Sequence, residues 1–187
     1  MASVKTTSAE TRKLKTRTAL HGALMELLAE KPFEEIQITD LTARARVGYA
    51  TFFRHYASMH DVLNEIAGNE IRELFNMTIP VIQQYKTAAT LKALCQYVSD
   101  RRTLWRTLLT GGAAHTVRAE FIRQALEWAG KFEGRDTPVP LELGTICTAG
   151  STLDALAWWL ERMDSYTVDQ FAAFIDRLII TPFIGDK

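Results

Sequence analysis

Apolar residues recur at helical spacing along almost the whole chain, and no stretch alternates convincingly as a strand does. Leu14, Leu20, Leu24, Leu27 and Leu28, with Ala23 for close approach, predict a first helix from about Ala9 to Glu30, ended by Pro32. Phe33 and Ile36 follow as apolar plugs. Ile38, Leu41, Thr42 and Ala45 then stand at i, i+3, i+4 and i+7, one face of a second helix. In a third, Phe52 and Tyr56 lie one turn apart and point inward, while Tyr49 with Phe53 and Thr51 with His55 pair on other faces. Between these two helices Arg46-Val47-Gly48 leaves room only for a tight turn. Val47 is its apolar plug, and Gly48 stands where the next helix needs an N-cap.

Ser58 with Asp61 three residues on reads as a capping box. It opens a fourth helix carrying Val62, Leu63, Ile66, Ile71, Leu74 and Phe75 as far as Pro80, with Gly68 as a point of bending. Beyond Thr87 the stripes continue. Leu91, Leu94, Cys95 and Val98 make one, with a break at Ser99-Asp100. Leu104, Trp105, Leu108 and Leu109 make another, stopped by Gly111-Gly112; Phe121, Ile122, Leu126 and Trp128 make a third. Residues 130–140 read as a surface loop. A long helix follows from Pro140 to Met163. A last one opens on a Thr167/Gln170 box, carries Phe171, Phe174, Ile175 and Leu178, and is ended by Pro182. The expected fold class is all-α: a three-helix head with a helix-turn-helix, and a helical body.

Two helices crossing through a tight turn, the second with an aromatic and polar outer face, meet the requirements of a DNA-binding helix-turn-helix. Tyr49, Ala50 and Phe53 are placed to meet base edges and thymine methyl groups, and Arg54 to reach a phosphate or a base.

Lys31-Pro32-Phe33-Glu34-Glu35-Ile36, the stretch from Gln37 to Tyr56, Ser58, and Asp61-Val62-Leu63 together resemble the DNA-binding domain of TetR/AcrR-type repressors, over roughly residues 12 to 65. The chain departs from the pattern at four places. It has Ala45-Arg46-Val47-Gly48 for the usual Ala-Gly-Val-Ser, Gln37 for Thr, Phe53 for Tyr and Met59 for Lys. The last three each remove a typical phosphate donor. Arg46 stands where the pattern's Gly could take a left-handed turn position at no steric cost, a conformation that would cost a residue with a Cβ about 1–2 kcal/mol. The resemblance implies a DNA-binding domain at 1–63 and an effector-binding and dimerisation domain at 64–187. It gives Thr39, Thr51 and His55 as phosphate contacts beside Gly48, Tyr49, Ala50, Phe53 and Arg54.

It further implies a homodimeric bacterial repressor on a palindromic operator in double-stranded DNA, released by a small effector. An apolar lining, with Phe75, Cys95, Trp105, Leu108, Phe121, Trp128, Cys147 and Gly150 as candidates, suggests a neutral hydrophobic or aromatic molecule. The Pro140–Met163 helix is apolar on two sides. Ile146, Leu153, Ala157 and Leu160 lie on one. Ala149, Thr152, Leu156 and Trp159 lie on the other, which we expect to form the dimer interface with Phe171 and Ile175.

Composition adjusts the picture in a few places. With 187 residues, 47% of them hydrophobic, the chain can bury a core. Net charge is zero, which argues against a general nucleic-acid coat. Residues 1–20, however, hold Lys5, Arg12, Lys13, Lys15 and Arg17 against Glu10 alone, next to the helix-turn-helix. Cys95 and Cys147 are too far apart in sequence for a redox motif and read as reduced thiols. With no apolar leader and no membrane-length run, the expected location is the cytoplasm. No nucleotide-binding, zinc-protease or nucleophile-elbow motif is present, and the four histidines make no metal spacing, so neither catalysis, nor a metal, nor a cofactor is expected. The alternative is the same fold used as a DNA-architectural or protein-interaction protein without a small-molecule switch; an all-α enzyme is a more distant one.

Overall fold

The structure is a computed structural model that describes residues 8–82, 87–111, 114–132 and 139–184. The chain forms two compact units, within Met1–Ile66 and within Ala67–Lys187. Among the described residues every regular element is helical.

In the first unit, α1 spans Ser8–Glu30 and buries Leu20, Ala23, Leu24, Leu27 and Leu28. Leu14 does not join them: it is 64% exposed, and the buried stripe of α1 begins at Leu20. A short 3-10 turn, Phe33–Glu35, tucks in Phe33. Helix α2, Ile38–Ala45, packs on α1. Arg44 forks onto Glu30 with bonds of 2.8 and 2.9 Å, and Lys31 reaches Asp40 at 2.7 Å. Asp40 also accepts the N–H of Gln37 at 3.2 Å, which closes the start of α2.

Helix α2 ends at Arg46 in the left-handed region, φ 54° and ψ 41°. The Val47 N–H then returns to the Thr42 carbonyl at 2.9 Å. Gly48 opens α3 in extended geometry. As an α-helix, α3 is shorter than expected, Tyr49–Phe52. Beyond it Arg54 and His55 donate to the carbonyls three residues back, so the segment to Tyr56 stays coiled but tighter. The Ser58/Asp61 box forms: Asp61 N–H reaches Ser58 Oγ at 3.2 Å, and Asp61 accepts the Ser58 N–H at 2.8 Å. It starts α4, Met59–Ile82, whose residues fall in both units.

The second unit holds α5 (Thr87–Asp100), α6 (Arg102–Thr110), α7 (Ala114–Ala129), α8 (Leu141–Leu160) and α9 (Val168–Ile175). Helix α8 is central, packing against α7 and α6, while α5 runs along α9. Trp159 stacks on Phe171 at 4.5 Å, and its indole N–H donates to the Tyr166 carbonyl at 2.9 Å. The Thr167/Gln170 box caps α9 reciprocally, at 2.9 and 3.3 Å. Pro182 does not end the chain's last helical run. A π turn, Asp176–Ile180, leads into α10, Thr181–Ile184, which contains Pro182. The Thr181 N–H reaches back five residues to Asp176, and a widened turn is where a residue lacking an N–H is tolerated. Gly112 and most of the loop after residue 132 lie outside the described residues.

Candidate nucleic-acid interface

Four residues are too few to hold a helix in place by themselves, so α3 owes its position to its neighbours. Phe52 is wholly buried and Tyr56 nearly so. The Tyr56 hydroxyl donates to Glu65 at 2.8 Å. Arg17 Nε donates to the same carboxylate at 2.9 Å, and His21 Nε2 lies 2.9 Å from the Tyr56 oxygen. One carboxylate on α4 thus joins α1 to the end of the recognition segment. Burial and the Glu65 charge push the Tyr56 phenol up to about 12. Arg17, one of the cations next to the helix-turn-helix, is 37% exposed and paired with Glu65.

The opposite face of the segment is open. Tyr49 is 54% and Phe53 48% exposed, their rings meeting edge to face at 5.2 Å. Ala50 and Arg54 are exposed beside them, as are Gly48 and, on α2, Thr39. Arg54 folds back to donate to the half-buried Thr51 hydroxyl at 2.7 Å. His55 is half-buried, with Nδ1 enclosed and unmatched among the described residues. Its pKa is lowered first by burial and then by the charges of Lys13, Arg54 and Arg17. His55 is therefore neutral at pH 7, and the basic turns of α1 bear on the recognition segment. Of the eight expected DNA-contact residues, Thr39, Gly48, Tyr49, Ala50, Phe53 and Arg54 are exposed, while Thr51 and His55 are half-buried.

None of the expected effector residues lines the cleft found among the described residues of the body. Cys95, Trp105, Leu108 and Phe121 are buried in the core, and burial pushes the Cys95 thiol up to about 12. Phe75 lies against Phe121 at 5.0 Å, and Lys131 covers Trp128 at 3.6 Å. Cys147 is exposed, which removes it from any enclosed lining. Gly150 makes room for the Arg118 side chain, since a Cβ there would stand 2.5 Å from Nη2. A cleft of about 170 Å³ opens instead between α6, α7 and α8, lined by Leu109, Ala114, His115, Arg118, Leu153, Asp154 and Ala157. No sequence motif marks it, because its charged pair, Arg118 and Asp154, is 36 residues apart. The one unmatched buried donor of the body's described residues is Trp105 Nε1.

The expected dimer surface is also displaced. Ala149, Thr152, Leu156, Trp159, Phe171 and Ile175 are all buried within the body itself. Among the large apolar side chains left open are Leu143, Ile146 and Trp158 on α8, Phe174 on α9 and Leu178 beyond it. Trp158, Tyr166 and Phe174 form a row at 5.3 and 5.7 Å. Among the described residues no cluster could hold a metal ion, and no helix is long and apolar enough to cross a membrane.

Residues 21–66 match the family model described as bacterial regulatory proteins, tetR family. A helix-turn-helix-type transcriptional regulator of Bacillus subtilis, YxbF, is 33% identical over 66 residues, which are 35% of this chain and 17% of that protein. Among solved structures, RolR in complex with resorcinol is 25% identical with a TM-score of 0.60, over 90% of this chain and 89% of its own. A TetR transcriptional regulator of Streptococcus agalactiae is 21% identical with a TM-score of 0.66, over 91% and 97%. Residues 21–66 thus carry a DNA-binding head of the tetR family of bacterial regulatory proteins, and the described chain shares the helical fold of solved TetR-type regulators.

Proposed function

We propose that the chain is a homodimeric repressor whose heads read a palindromic operator and whose body binds a small hydrophobic effector that releases the DNA. The observation that carries the reading is the open surface of Tyr49, Ala50, Phe53 and Arg54, with neutral His55 and the cation of Lys13 at its side. Aromatic and methyl groups suit base edges, and His55, Thr51 and Thr39 suit phosphates without adding charge. The division of labour follows the two units, with the head for DNA and the body for effector and partner. The partner is a second copy of the chain, meeting the exposed row of Trp158, Tyr166 and Phe174 with Leu178, since apolar surface of that extent calls for cover.

The resorcinol bound by RolR is a small aromatic molecule, and it favours an effector of similar size here. Within the body, α7 holds α4 directly: Gln124 donates to the Gly68 carbonyl at 3.3 Å. A ligand that shifts α7 therefore pulls on the helix whose first turns belong to the head.

Selection of bound sequences from a random DNA pool tests the first half. It is expected to return a palindrome with half-sites about one helical turn apart, or a multiple of that. Asymmetric sites alone would overturn the reading. An effector screen on the recovered site tests the second half. Operator and effector should weaken each other by the same factor, a coupling of about 1–3 kcal/mol. Equal affinities with and without the partner ligand would favour the same fold acting without a switch.

A further inference from the structure

We propose that the cleft between α6, α7 and α8 is the effector site, and that it takes a small uncharged ring bearing hydroxyl groups. This rests on the effector-responsive reading above and gives it a place and a chemistry. The cleft holds about 170 Å³, well under the roughly 300–1,000 Å³ of a drug-sized site. A single ring fills it. Leu109, Ala114, Leu153 and Ala157 supply apolar wall.

Polarity comes from one ion pair. Arg118 Nη1 donates to Asp154 Oδ1 at 2.8 Å and to the Gly150 carbonyl at 3.3 Å. Nothing described binds its Nε or Nη2, nor Asp154 Oδ2, so the cleft offers both donors and an acceptor. A guanidinium only donates and a carboxylate only accepts. A hydroxyl is the small group that satisfies both, accepting from Arg118 while donating to Asp154. The two charges cancel. With Arg118 and Asp154 43% and 72% exposed, a ligand charge of either sign meets one attractive and one repulsive partner and gains no net attraction to offset its lost hydration. His115 at the rim adds a further partner for a second hydroxyl. The placement of Arg118 is built in by Gly150, which alone leaves its guanidinium space against α8.

Calorimetric titration of the full chain with phenol, catechol, benzoate and benzylamine tests the inference. Phenol and catechol are expected to bind, catechol more tightly, and the two charged rings at least about tenfold more weakly. Arg118→Ala and Asp154→Asn should each lower catechol affinity by about tenfold or more. Gly150→Ala, which pushes the guanidinium aside, should do the same while both charges remain. Circular dichroism and the thermal midpoint of each variant identify any loss that is merely unfolding, and His115→Ala is a milder substitution at the rim. Unchanged catechol affinity in the folded variants, benzoate bound as well as catechol, or no binding of any probe would overturn the site. If another compound releases operator DNA equally from wild type and variants, the site fails and the regulatory reading stands. If catechol binds through Arg118 and Asp154 but leaves DNA binding unchanged, the ligand chemistry stands and the regulatory reading fails.

Discussion

The Tyr56 hydroxyl donates to Glu65 at 2.8 Å, fastening the end of the recognition segment to α4. Since that proton is spent on Glu65, His21 Nε2 must be the donor in its 2.9 Å contact with the Tyr56 oxygen, which fixes His21 as the neutral Nε2–H tautomer. Tyr56→Phe removes the link and leaves the ring packing in place. It should cost about 1.5–3 kcal/mol in thermal unfolding, as expected for a hydrogen bond to a charged partner. Operator affinity should fall by more than the stability loss explains, because the segment loses its orientation. Equal unfolding midpoints for mutant and wild type would remove the link's importance.

The same cluster sets a pH dependence. Burial lowers the His21 pKa below 6.5, the Arg17 charge lowers it further, and Glu65 opposes both without prevailing. A pKa depressed on folding means the native state binds fewer protons. This contribution is complete above about pH 6.5 and shrinks as pH falls through it. Burial would raise the Glu65 pKa, but its bonds to Arg17 and Tyr56 outweigh that and hold it below 4.5. Its contribution is therefore lost in a second step, below about pH 4.5. Urea unfolding at pH 8, 5.5 and 4 should show falling stability, and His21→Gln should reduce the first fall, the remainder coming from His55, whose pKa is also depressed, while leaving the second unchanged.

Arg46 sits at φ 54° with a Cβ that this region disfavours. Arg46→Gly should therefore stabilise the head by up to about 1 kcal/mol, the strain relieved less the extra freedom of the unfolded chain. Arg46→Val should destabilise it. Thermal melts of both variants decide; a less stable glycine variant would show that the Arg46 side chain does more than pass through the turn.

For DNA binding the structure separates the cations. Lys13 and Arg54, which bear on His55, should each contribute roughly −0.9 to the salt slope if they neutralise a phosphate. Arg17, already paired with Glu65, should contribute little. Tyr49→Ala should change the preferred base at one position per half-site, and His55→Ala should weaken all sequences alike. Affinities over a salt series and an operator substitution series test both; identical shifts in the two mutants would reject the roles.

The dimer prediction turns on which face is already used. Leu156 is wholly buried in its own body, so Leu156→Arg should unfold the protein, a buried unpaired charge costing several kcal/mol. Leu178→Asp and Trp158→Ala, at exposed positions, should keep the helical content and yield monomers with much weaker operator binding. Light scattering with circular dichroism reads all three. A dimer that survives both surface changes would place the interface elsewhere.

Periodicity alone determined the helices, and turn chemistry their starts: the boxes at Ser58/Asp61 and Thr167/Gln170 depend on residues three apart, so they were legible in the chain. So was the head, because its turn, its inward Phe52 and Tyr56 and its outward Tyr49 and Phe53 all lie within a few residues. The four-residue length of α3 was not legible, nor its anchor, because Arg17, His21 and Glu65 meet Tyr56 only through packing. Two apolar sides could be counted on α8, but a count cannot say which neighbour covers which side. Packing against α6, α7 and α9 took the side of Leu156 and Trp159 and left Trp158 open. The cleft likewise exists only because α7 carries Arg118 to Gly150 and Asp154 on α8, and contact between residues more than thirty positions apart has no local signature.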